Sequence, residues 1–168
     1  MSTVTPTAPG LVDALVAQLS VSRNAIRRNL DGVSHEESTQ PHDCGGNSAN
    51  WVVGHIVAAR NSVLKNLGGK TVMPDATAAV YRRGSDGAVS GGMKLEDLIS
   101  ALDESQPLLI ESLRKVPEQQ LLAKSPFSSP AGPEATLGEA ISAMVFHEAY
   151  HVGQLGILRR LLGRKGAI

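Results

Sequence analysis

Residues 136–163 read TLGEAISAMVFHEAYHVGQLGILRRLLG. Thr136 and Glu139 have the spacing of a capping box, in which each side chain accepts a hydrogen bond from the other residue's backbone N–H and so starts a helix. Leu137, Ile141, Met144, His147, His151, Leu155, Leu158 and Leu162 then step by three or four, which aligns them on one stripe, and Gly163 supplies the stop. A helix with a stripe this long needs others to cover it. Two positions of the stripe hold histidine where leucine is expected.

Three earlier segments carry apolar residues at the same period. The first runs from about Pro9 to Asp31, with Leu11, Leu15, Leu19, Ile26, Leu30 and Val33 near one side and Arg23, Arg27 and Arg28 opposite. The second opens at Asn47 or Ser48, both good N-caps, places Trp51, His55, Ala58 and Ser62 on one stripe, and ends at Gly68-Gly69. The third, from about Leu95 to Val116, carries Leu95, Leu98, Leu102, Leu109 and Leu113 on one face. Pro107 is expected to kink or split it, because proline removes a backbone donor and crowds the preceding turn. Four amphipathic helices and no convincing strand predict one all-α domain over 1–168, an antiparallel up-down-up-down four-helix bundle. The long connection from Gly69 to Met93 is either a lid over a site or a plain surface loop, and VYRRGSDGAV within it could form a small hairpin across Gly84 to Gly87.

Composition narrows the function. The chain of 168 residues has 16 Lys and Arg against 16 Asp and Glu, with one Trp, two Tyr and two Phe, so neither a basic field nor stacking platforms favour nucleic acid. No stretch approaches the apolar length of a membrane span, and the opening MSTVTPTAPG is not a signal sequence, so a soluble, cytoplasmic protein is expected. The single cysteine, Cys44, excludes a Cys-rich zinc site and an internal disulfide. Any metal site must rest on histidine and carboxylate.

His147 and His151 are i and i+4 neighbours, so their imidazoles can converge on one point. His55 likewise replaces an apolar residue in the second helix, which in an up-down-up-down bundle runs in the same direction as the fourth. Each histidine alone reads as a neutral, hydrogen-bonded core residue. Three together need more polar partners than these stripes offer, and a shared cation satisfies all three. His35 and His42 lie in a polar stretch and read as ordinary surface residues.

HEAYH, residues 147–151, matches HExxH letter for letter, but the residues after His151 contain no Asp, Glu or His, so the downstream ligand of the zinc proteases is missing. Gln154 and Ile157 stand where the extended protease motif requires Gly and His. The third ligand must come from upstream, and His55 is the best candidate. The pair NWVVGHI and HEAYHVGQ resembles the DinB/YfiT-like family of metal-binding four-helix bundles, over nearly the whole chain in helix order. The resemblance implies that His55, His147 and His151 are the metal ligands and that the protein pairs as a homodimer. It also implies chemistry like that of bacillithiol S-transferases, with mycothiol-dependent isomerases as distant relatives, although many members carry the label of metal-dependent hydrolase.

Three neutral imidazoles leave an ion's charge uncompensated and a coordination position open. Zinc or nickel is the expected divalent ion, and a small-molecule thiol, or less readily water, the expected partner to be activated; the rival reading is a non-catalytic metal- or ligand-binding stress protein in which the ion holds two helices together. Glu148 and Gln154 are the candidate catalytic residues. Glu148 points about 100° around the helix from His147, as a base beside the ion or as a solvated or interhelical ion-pair residue. Gln154 could bond substrate or an imidazole N–H. Trp51 reads as core, Tyr150 as rim or surface, Arg82 and Arg83 as loop cations able to meet carboxylates, and the tail RRLLGRK as a complement to the helix dipole.

Overall fold

Capping and burial place the helices close to where the periodicity puts them. The computed structural model describes residues 10–40, 46–85 and 91–167; Pro9, His42, Cys44 and Gly87 of the sequence reading lie outside them. The elements are α1 (Leu11–Leu30), α2 (His35–Thr39), α3 (Ala49–Asn66), α4 (Asp75–Val80), α5 (Leu95–Arg114), α6 (Glu118–Leu121) and α7 (Leu137–Leu161). Among the described residues there is no strand, only an isolated bridge between Lys124 and Thr136. Ser48 caps α3 by accepting from the Trp51 N–H, and both halves of the Thr136–Glu139 capping box are made. Gly68 and Gly163 adopt positive φ, as helix stops do.

The four long helices form a bundle, with α1 packed on α7 and α5, and α3 packed on α5 and α7. Their directions differ from the expected up-down-up-down order. Leu11 lies beside Gly138, and Arg159 donates to the Asn29 carbonyl (3.0 Å), so α1 and α7 are parallel. Asn50 reaches the Met93 carbonyl (3.1 Å) and Arg60 reaches Ser105 (3.0 Å), so α3 and α5 are parallel too. Arg23 pairs with Asp103 while Gln106 reaches Ser20, which makes α1 antiparallel to α5. The order is up-down-down-up, and α3 runs opposite to α7.

The cause is the connection between α3 and α5, which runs back along α3. The Asn61 carboxamide binds Val72 and Met73, the Tyr81 ring lies on Gly54, and the Met93 N–H donates to the Tyr81 hydroxyl (2.7 Å). Chain returned to the start of α3 begins α5 there, in the same direction. The described part of this segment is therefore anchored to the bundle, through the buried Met73 and Tyr81. Val80 belongs to α4, and no strand of the anticipated hairpin is present among the described residues.

Two apolar clusters stack along the bundle axis. Ile26, Val53, Ile56, Leu98, Leu102 and Leu155 belong to the upper one, and Leu15, Leu19, Leu64, Leu109, Leu113 and Ile141 to the lower. Arg60, Ser105 and Glu148 lie between them. Pro107 does not split α5, which is continuous from Leu95 to Arg114; the five leucines of its face are all buried between α1 and α3, and that burial outweighs one lost backbone bond. Arg23 and Arg27, expected on an outward face, both bind Asp103 of α5. Arg159 and Arg164 tie the end of α7 to the α1–α2 turn through Asn29, Asp31, Gly32 and Glu37, a structural role for the basic tail.

Candidate metal centre

The inward side of α3 is formed by Val53, Ile56, Val57, Arg60 and Leu64, and not by the Trp51–His55–Ala58–Ser62 stripe. Trp51, His55 and Ser62 of that stripe border a cleft shared with α7, while Ala58 lies toward the α4 segment. His55 therefore meets His147 and His151 at a cleft wall instead of in the central core. Antiparallel α3 and α7 still bring the three together, since only their levels must match.

The geometry of the triad is specific. His147 Nε2 lies 3.1 Å from His55 Nε2 and 3.0 Å from His151 Nε2. His55 Nδ1 is 2.6 Å from the Tyr81 carbonyl, and His151 Nδ1 is 2.7 Å from Gln154 Oε1. A carbonyl oxygen only accepts, so both rings carry their proton on Nδ1 and present a lone pair at Nε2. His147 Nε2 holds at most one proton and can donate to only one of those lone pairs. A divalent cation satisfies all three nitrogens, and four-coordinate zinc spaces its ligand nitrogens by about 3.3 Å. The donor set fits such an ion; no carboxylate joins the cluster among the described residues.

Protonation favours the same reading. Burial pushes His147 down to about 4, helped by His151, His55 and Arg83. Burial also lowers His55, against the opposing pull of the Tyr81 carbonyl, and lowers His151, against that of Gln154. Neutral imidazole is the form that ligates metal.

The supports of the triad are themselves fixed. Tyr81 is wholly buried, and its ring lies so close to α3 that a Cβ at residue 54 would come within 2.2 Å of it, which is why glycine stands there. Trp51 stacks on His55 (centroids 4.7 Å apart, 11° between planes) and donates from its indole to Ser85 (2.7 Å). It is both buried and part of the cleft wall. The cleft beside the triad encloses about 590 Å³ and is also lined by Arg83, Tyr150, Gln154, Met144 and Phe127.

A family model of the DinB superfamily matches residues 18–155. The chain belongs to the DinB superfamily. Two solved structures share the fold. One is a conserved protein from Enterococcus faecalis, 15% identical, with a TM-score of 0.67 over 94% of this chain and 100% of its own. The other is YfiT from Bacillus subtilis, described as a probable metal-dependent hydrolase with an unusual four-helix bundle topology, 18% identical, with a TM-score of 0.65 over 98% of this chain and 95% of its own. No curated protein sequence matches the chain.

Within this DinB bundle the remaining candidates separate. Glu148 does not line the cleft: both carboxylate oxygens bind Arg60 at 2.7 Å, and the pair is buried to 0% and 2% exposure. It takes the interhelical ion-pair role of the alternatives open to it, and HEAYH is not arranged as a protease motif. Gln154 orients His151, Tyr150 stands at the rim against the His151 ring, and Arg83 but not Arg82 lines the cleft. His35 accepts from the Leu95 N–H (3.3 Å), away from the site. Arg60 and Tyr81 were not foreseen. Arg60 left a signal, a cation three residues after Val57 inside an apolar run; Tyr81 left none, because it acts through a backbone carbonyl. No described helix is long and apolar enough to cross a membrane.

Proposed function

We propose that this DinB-superfamily protein is a metal-dependent enzyme in which His55, His147 and His151 hold a divalent ion, zinc or nickel, to activate a low-molecular-weight thiol for transfer to an electrophile. The observation that carries the reading is the pair of Nε2 lone pairs aimed at His147 beside an open cleft. When bound, the ion lowers the pKa of a thiol or a water entering from the cleft. The Tyr81 carbonyl and Gln154 hold two imidazoles in the ligating tautomer, Trp51 fixes the His55 ring plane, and Arg83 adds positive charge for an anionic substrate. In the overall transfer an S–C bond forms as the C–X bond breaks, and the thiol proton leaves with X or with solvent.

Hydrolysis is the second reading, favoured by the description of YfiT. Thiol transfer is preferred because no carboxylate lines the cleft among the described residues and Glu148 is committed to Arg60. A thiol of ordinary acidity needs no protein base once its pKa is lowered, whereas water gains most from one. The expected homodimer has a candidate surface on α7, where Phe146, Ile157 and Leu161 are exposed; sedimentation at two concentrations tests it.

Elemental analysis of untagged protein tests the site itself. Wild type is expected to hold close to one ion per chain, and His147→Ala and His55→Ala to hold none. Equal metal in all three would place the ion elsewhere. Turnover of an electrophile only when a thiol is supplied then separates transfer from hydrolysis.

A further inference from the structure

The cleft has two unlike ends. His55 and Val63 on α3 are eight residues apart, and His147 and Ala140 on α7 are seven apart, so the walls extend about 10–12 Å beyond the triad toward the lower end of the bundle. Along that stretch the walls are Ala59, Val63, Ala140, Met144 and Phe127. Val63, Ala140 and Met144 are buried, and Phe127 packs on the lower core cluster, so this arm is shaped by the core itself. Ser62, Ser128 and Ser129 also line the cleft, the first two at exposed positions.

The stretch beside the triad carries a cation: Arg83 lines the cleft with the three histidines, and no carboxylate does so among the described residues. A small thiol or a water molecule alone fills little of about 590 Å³, a volume typical of sites for whole organic ligands. An apolar arm left to water would be a poorly hydrated groove, and covering it with apolar substrate is favourable at about 25 cal/mol per Å².

We propose that the cleft takes an amphiphilic organic anion, with its charged group between the triad and Arg83 and an apolar chain or ring lying in the Val63–Ala140–Met144–Phe127 arm. The proposal rests on the metal-enzyme reading for the charged end and on the arm alone for the apolar end. It names the substrate class: a small acid or other anion with a hydrocarbon body of several carbons, not a sugar or a charged peptide.

Linear carboxylates from butanoate to decanoate, with octanamide as the neutral control, are the probes, titrated calorimetrically into zinc-loaded and zinc-free protein. The dissociation constant is expected to fall about fourfold per added methylene until the arm is full. Octanamide is expected to bind more weakly than octanoate, and Arg83→Gln to weaken every carboxylate by a common factor of roughly two to five, as for an exposed ion pair. Ala59→Phe, at a half-buried wall position, should flatten the chain-length series, with decanoate and octanoate losing the most. Ser62→Trp makes the same test from an exposed position if Ala59→Phe does not fold. A series independent of chain length in the wild type overturns the apolar arm, and octanamide binding as tightly as octanoate overturns the anionic end. Zinc uptake with a flat series leaves the metal reading standing without this one. Absence of zinc uptake with a steep series in the zinc-free protein does the reverse.

Discussion

Two polar clusters join α3 to α7 within about two turns of each other: the Arg60–Glu148 pair and the His55–His147–His151 triad. In the first, Arg60 gives both carboxylate oxygens a hydrogen bond and sends its remaining reach to Ser105 and the Leu102 carbonyl, all out of water. In the second, the outer nitrogens of His55 and His151 are matched by Tyr81 and Gln154 while the inner nitrogens face one another over a cleft. Both clusters interrupt apolar faces. One is complete without any further atom, whereas in the other one Nε2 lone pair stays unmatched until a further donor or a cation enters. A satisfied buried group holds the fold; convergent lone pairs with solvent access mark where chemistry can occur.

The sharpest way to break this contrast is to remove half of the complete cluster. Glu148→Ala leaves the Arg60 cation buried without its partner, which is expected to destabilise the protein by about 3–5 kcal/mol. The double variant Arg60→Met with Glu148→Leu should recover most of that loss, since both charges go together and the volume is filled. Urea unfolding of the three proteins measures it. If Glu148→Ala instead leaves stability intact but abolishes turnover, Glu148 is a base and the two clusters have been assigned the wrong way round.

The incomplete cluster should respond in affinity and not in fold. Gln154→Leu removes the acceptor that holds the His151 proton on Nδ1, so the ring is free to present N–H toward the ion. Loss of such a support lowers metal affinity by about 10- to 100-fold. The unfolding free energy of the metal-free protein should change little, because Gln154 is half exposed. Competition with a zinc chelator reads the affinity. An unchanged affinity would mean that packing alone, through Tyr150 and the helix, sets the His151 ring.

These distinctions also show which parts of the molecule were legible in the sequence. The α7 stripe and the leucines of α5 gave the helices, because burial repeats every turn and leaves a period to read. The direction of α5 did not follow, since the length of the connection after α3 says nothing about whether it returns along that helix. The seam of α7 was open to two readings. Stepping from Met144 to His147 and stepping from Met144 to Glu148 both obey helical spacing, and only the presence of Arg60 across the interface makes Glu148 the buried one. The sequence leaves Glu148 open to a base, a solvated or an interhelical ion-pair role, and its partner, 88 residues away in the chain, decides among them. His55, His147 and His151 were legible because three imidazoles on apolar stripes have few other uses. Their orienting partners were legible only in part: Gln154 lies one turn away on the same helix, whereas the Tyr81 carbonyl belongs to no residue type.

The smallest expected effect is on the pH dependence of the metal-free protein. All three histidines of the triad titrate below their ordinary value, His147 at about 4, with burial the leading cause in each. An unfolded chain takes up these protons near pH 6.5, while the folded chain resists them until lower pH. Between those values the unfolded state binds more protons, so stability rises with pH there. It should be fully present above about pH 6.5, decline as the pH falls, and level off below about 4. Carboxylates held low by their partners, such as Glu37 beside Arg164, lose their contribution only as the pH drops below the ordinary carboxylate value, so the upper part of the window belongs to histidine. His147→Ala should flatten the slope of melting temperature against pH between 6.5 and about 4.5, and the Arg60→Met with Glu148→Leu variant should leave it unchanged. A slope insensitive to His147→Ala would show that the triad is hydrated and readily protonated in solution, and its tautomers would then not be fixed by Tyr81 and Gln154.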